Sequence, residues 1–109
     1  MKLSRRLFLS RSLSGMGNAS RMLLRTGYIP HHASCFLSLS PDGRFLYIYD
    51  RSVYTENWFK KGDETVVGLA KDRAEAEELI AEIISLAVKE TGSPEPAPYL
   101  KRFLEENDA

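Results

Sequence analysis

The first 41 residues contain no aspartate and no glutamate. They carry six basic side chains, Lys2, Arg5, Arg6, Arg11, Arg21 and Arg25, together with eight serines. Residues 42–109 set nine basic groups against all fifteen acids, which leaves +6 in the first part, −6 in the second and zero net charge. So sharp a boundary in charge marks a change of role along the chain. Cysteine is almost missing. Cys35 stands alone, which excludes an internal disulfide framework and fits a reducing compartment. No apolar run approaches the roughly 18 residues of a membrane span. The only two histidines, His31 and His32, lie beside Cys35 in HHASC. A structural zinc site wants four ligands from paired short spacings, and no second pair exists. The same loop lacks the third, orienting group of a Cys–His nucleophile. Phosphate-cradling glycine loops, nucleophile elbows and metalloprotease motifs are absent too. Gly15-Met16-Gly17 follows no clear strand and lacks a third glycine. These absences predict a protein that is not an enzyme and needs no cofactor and no metal.

What is present begins with SRRLFLSRSLS (4–14). Arg-rich, Ser-rich, acid-poor composition over 1–25 matches an organelle transit peptide. Ser4-Arg5-Arg6-Leu7-Phe8-Leu9 resembles the core of a twin-arginine export signal, but Arg11 interrupts the apolar stretch that should follow. The third reading is a basic N-terminal extension, or a part of the fold itself. Residues 1–33 are therefore read as an N-terminal leader or tail, residues 34–92 as the core domain, and 93–109 as a Pro-rich linker with a short last helix.

The core has regular patterning. CFLSLS (35–40) and RFLYIYD (44–50) read as strands, and Pro41-Asp42-Gly43 between them has the chemistry of a hairpin turn. A three-residue loop, a type I turn followed by a left-handed glycine, is favoured and sets Leu39 opposite Phe45; the alternative, a two-residue Asp-Gly loop, sets Leu39 opposite Leu46. The second strand extends toward Val53 and Tyr54, and TENWFKKGDE (55–64) reads as a loop. TVVGLA (65–70) reads as a third strand, with Gly68 marking a bulge or a close backbone approach. Asp72 and Glu75 form a capping-box pattern, with Glu75 reaching back to the cap. Ala76, Leu79, Ile80, Ile83, Ile84, Ala87 and Val88 then define one helical face, ended by Gly92 and Pro94. Tyr99, Leu100, Phe103 and Leu104 line a short last helix over 98–107. The expected fold is α+β: a small antiparallel sheet, hairpin plus third strand, packed by one long helix, with a short C-terminal helix.

Pro30-His31-His32-Ala33-Ser34-Cys35-Phe36 loosely resembles the P-x-H-x-x-x-F of double-stranded RNA-binding domains. GLAKDRAEAEEL (68–79) is faintly similar to their G-x-S-K-K-x-A-K helix start. The gap from Phe36 to Gly68 is longer than in that family. Asp72, Glu75, Glu77 and Glu78 also oppose the cations that would clamp phosphate. The resemblance implies phosphate contact by Lys71, Arg73 and the N-terminal arm, without establishing membership.

Both faces of the expected sheet are apolar, and one helix covers only one of them. A core of about 60 residues is marginal alone. The sequence thus points to a subunit or interaction partner of a larger complex or homo-oligomer, mitochondrial if the source is eukaryotic and otherwise cytoplasmic. Trp58, Phe59, Tyr47, Tyr49, Tyr99 and Phe103 are the candidate contact residues. The alternative is nucleic-acid binding through Arg5, Arg6, Arg11, Arg21, Arg25, Lys71 and Arg73. An unrecognised small enzyme is a further alternative.

Overall fold

The computed structural model of the chain describes residues 1–101. Four strands form one mixed sheet: β1 (Lys2–Leu9), β2 (Cys35–Leu39), β3 (Leu46–Asp50) and β4 (Thr65–Ala70). Their spatial order is β1-β4-β2-β3. The helices are α1 (Gly17–Arg25), α2 (Asn57–Lys60) and α3 (Arg73–Thr91). A last helical stretch begins at residue 96 and continues to residue 101. The antiparallel hairpin, its third strand and the long helix are as the sequence predicts. The addition is β1, which pairs parallel to β4 and makes the sheet mixed.

The hairpin adopts the alternative register, with Leu39 opposite Leu46. Its local chemistry explains this. Ser40 N–H donates to the Phe45 carbonyl at 2.9 Å, while Ser40 Oγ accepts from Phe45 N–H at 3.1 Å. The Asp42 carboxylate accepts from Ser40 Oγ at 2.6 Å and from Arg44 N–H at 3.1 Å. Those bonds close a four-residue loop, with Gly43 in the left-handed region at φ 74°. Asp50 ends β3 by accepting Ser52 N–H at 2.9 Å, so Val53 and Tyr54 lie in a 3-10 turn over Arg51–Thr55 rather than in a longer strand.

β4 is one of the two inner strands, and all six of its residues are buried. Its pairing with β2 steps from Leu37↔Gly68 to Ser38↔Val66, so Val67 is the extra residue of a bulge. Hence Val66 and Leu69 serve one core while Val67 and Ala70 serve the other. A Cβ at Gly68 would sit 2.7 Å from the Phe8 carbonyl oxygen. The missing side chain is what lets β1 lie against β4.

Each sheet face has its own core. On one, α3 lays Ala76, Leu79, Ile83 and Ala87 over Leu37, Leu39 and Val67, joined by Phe8, Tyr99 and Leu100. Asp72 caps α3 by accepting Glu75 N–H at 2.9 Å, and Gly92 ends it at φ 77°. On the other, Leu13, Leu24 and Ala33 close over Phe36, Val66 and Leu69 together with Tyr54 and Phe59. The chain therefore covers the second face with residues 13–33 and with the connection 51–62. Tyr54 ties these together, its hydroxyl donating to the Leu24 carbonyl at 2.7 Å.

Candidate interaction surface

Burial sorts the aromatic candidates. Phe59 and Tyr99 are core side chains, 1% and 5% exposed. Phe59 is wedged against Phe36, Tyr49 and Tyr54, and Tyr99 lies against Phe8. Tyr49 is half-buried, its hydroxyl donating to Glu64 at 2.9 Å. Burial and then the Glu64 carboxylate push the Tyr49 phenol up to about 12. Tyr47 and Trp58 are 40% and 57% exposed. Phe103 lies outside the described residues.

The exposed rings are not scattered. Phe45, Tyr47 and Tyr49 alternate along one face at the hairpin, with centroids 6.4 and 5.9 Å apart. Trp58 joins edge-on to Tyr49 at 6.0 Å. Phe45, 54% exposed, completes the stripe. In the sequence it has only the pattern of an ordinary strand residue, because alternation alone does not reveal which strand lies at an edge. Tyr47 and Tyr49 lie on β3, with Phe45 just before it and Trp58 on α2; β3 is the last strand of the sheet, with which no further strand pairs among the described residues. A second apolar exposure, at Met22, Leu23 and Tyr28, lies at and just after α1.

The basic candidates do not form one patch. Arg11 donates from Nε to Glu78 at 3.2 Å, and Arg73 donates to Glu77 at 3.3 Å. Lys71 is exposed where β4 leads into α3. Arg5, Arg21 and Arg25 come together across β1 and α1: Arg21 Nε donates to the Ser4 carbonyl at 3.2 Å. Partial burial, followed by the charges of Arg25 and Arg5, lowers the Arg21 guanidinium from its ordinary value. Arg6 points elsewhere, 4.8 Å over the Phe8 ring.

Glu75 does not reach back to its own cap. It is buried and accepts from Ser12 N–H at 3.1 Å and Ser12 Oγ at 2.5 Å. These serine hydrogen bonds, with Ser10 and the nearby Arg11, hold its carboxyl down to about 2. A capping-box pattern had hidden a tie between α3 and the N-terminal segment.

The HHASC loop is held from outside itself. Arg51 donates to the carbonyls of Ala33, His31 and Ile29 at 3.0, 3.3 and 3.2 Å. His31 and His32 are exposed, with ring centroids 5.4 Å apart. Cys35 Sγ lies 3.8 Å from Ser34 Oγ. Among the described residues, no three His, Cys, Asp or Glu side chains converge as metal ligands. A cleft of about 610 Å³ opens between the hairpin turn and residues 95–101; Lys2, Asp42, Asp63, Glu95 and Lys101 line it. Its two cations and three acids are chemically mixed. No helix among the described residues is long and apolar enough to cross a membrane. No protein-family model, curated protein or solved structure shows significant similarity to this chain.

Proposed function

We propose that this chain is a non-enzymatic α+β protein that acts as a subunit or interaction partner of a larger assembly. The observation that carries the proposal is the open β3 edge, with Tyr47 exposed on that strand, Phe45 exposed just before it and Trp58 of α2 exposed beside Tyr49. Aromatic side chains are enriched in interface cores, where they bury a large apolar area for few rotamers. An unpaired edge adds a row of main-chain donors and acceptors. The apolar sheet faces no longer argue for a partner, since the chain covers both. The edge does. If the source is eukaryotic, we place the assembly in a mitochondrion; otherwise in the cytoplasm.

The test is native purification from the source, followed by mass measurement of the intact particle. The native chain is expected within a particle larger than the monomer. A Tyr47→Lys, Trp58→Ser variant that keeps its circular dichroism should fall to monomer mass. Recovery of the folded native chain alone as a monomer would overturn the proposal.

Nucleic-acid binding is the second reading. The convergence of Arg5, Arg21 and Arg25 favours it, whereas the ion pairs of Arg11 and Arg73 with acids of α3 weaken it.

A further inference from the structure

We propose that the β3 edge docks a second copy of this chain, the two β3 strands pairing antiparallel about a two-fold axis through Tyr47. This rests on the interaction reading above and names its partner.

Main-chain parity comes first. Phe45 accepts from Ser40 N–H, and Arg51 N–H donates to Ser34, each at 2.9 Å. Residues 45, 47, 49 and 51 thus turn their main-chain groups toward β2, so Leu46, Ile48 and Asp50 turn theirs outward. Two copies can pair only where outward residues meet outward residues. A two-fold axis through Tyr47 satisfies this, and so does one through Ile48.

Side-chain chemistry separates the two. An axis through Ile48 sets Leu46 opposite Asp50 of the partner subunit. An axis through Tyr47 sets Leu46 opposite Ile48 of the partner subunit and Phe45 opposite Tyr49 of the partner subunit. It also brings Arg44 opposite Asp50 of the partner subunit, at both ends of the pairing. Apolar meets apolar, ring meets ring, and unlike charges meet. Cross-strand pairs of these kinds stabilise antiparallel strands. The rings already stacked on β3 would continue across the axis as one ladder, three from each copy.

The two edges of the sheet also differ. β1 carries Lys2, Arg5 and Arg6, and its register breaks between Leu3 and Phe8; charges and irregularity of that kind blunt an edge. Residues 45–50 hold no lysine, no proline and no break in register.

The test begins with sedimentation of the full chain, expected to show a dimer. Arg44→Asp alone and Asp50→Arg alone each bring like charges together, and each should raise the dissociation constant about tenfold. The double variant restores unlike pairs and should recover most of that loss, whereas the loss of the Asp50 cap would not be recovered. Register is read by cysteine cross-linking in a Cys35→Ser background. Tyr47→Cys places two thiols in a non-hydrogen-bonded pair with Cα atoms about 4.5 Å apart, within disulfide range. Mild oxidation should join that variant far more completely than Ile48→Cys. Preferential joining at Ile48, or a dimer that neither cysteine joins, overturns the proposed pairing. So does a chain monomeric up to about 0.1 mM. A monomer whose β3 amides are protected by a different protein overturns the second-copy inference and leaves the interaction reading standing. A monomer without any partner removes both.

Discussion

At the scale of single residues, Glu75 and Gly68 matter most. Glu75 is ionised, buried and bonded to Ser12 across the join between α3 and the N-terminal segment. Its folded pKa of about 2 lies below the ordinary 4.5, so folding favours the charged form. The stability it contributes is complete above about pH 4.5 and is lost as pH falls through about 2. Glu75→Gln should therefore flatten the acid limb of the stability curve in that window, as followed by urea unfolding at successive pH values. An acid limb identical to the parent's would remove Glu75 as its cause. At Gly68, an added Cβ meets the Phe8 carbonyl oxygen at 2.7 Å and Leu37 Cδ1 at 3.2 Å. Backbone cannot step aside as a flexible side chain does. Gly68→Ala is expected to cost about 1–3 kcal/mol, with the largest rise in amide exchange along β1. An unchanged melting temperature would show that β1 does not lie so close.

At the scale of elements, the N-terminal segment decides the most. Its composition suits a leader or a tail, yet in the folded chain residues 2–9 form β1, and Phe8, Leu13 and Leu24 are buried in the two cores. Losing a large apolar side chain from a core costs about 2–4 kcal/mol, and whole domains are stable by only about 5–15 kcal/mol. A 34–109 fragment loses three such side chains and uncovers Phe36, Val66 and Leu69. It is expected to be unfolded or aggregated by circular dichroism and sedimentation, while the full chain is folded. A fragment with the parent's melting temperature would instead support residues 34–92 as a self-sufficient domain. The hairpin carries a smaller lesson. Pro41-Asp42-Gly43 announced the turn, but Ser40 set the register by answering Phe45 N–H with its own hydroxyl. Side-chain bonds that replace a ladder bond are not visible in residue propensities.

At the scale of the whole molecule, the charge imbalance along the chain is partly cancelled by folding. Arg11 lies against Glu78 and near Glu75, so the acid-free segment is stitched to the acidic helix. The basic surface that stays together is Arg5, Arg21 and Arg25. If that cluster binds nucleic acid, affinity for a single- or double-stranded oligonucleotide should fall steeply with salt, the slope easing when Arg21 and Arg25 become alanine. Fluorescence anisotropy at several salt concentrations checks this; absent or salt-insensitive binding would retire the reading. The aromatic stripe lies at β3, at the opposite edge of the sheet from β1. The two edges thus differ in chemistry, one basic and irregular, the other aromatic and regular.

The sequence by itself determined what local patterning and capping control. Period-2 alternation gave the hairpin, Pro-Asp-Gly the turn, and the i, i+3, i+4 repeat with Asp72 and Gly92 the limits of α3. These signals are local because their hydrogen bonds and packing faces lie within a few residues. The tertiary structure alone decided that residues 2–9 join β4 in parallel, that Val67 is bulged, and that Phe59 turns inward while its neighbour Trp58 stays exposed. It also decided which strand is left at the edge. Each of these depends on which distant segment fills a given place, and no short window of residues carries that information.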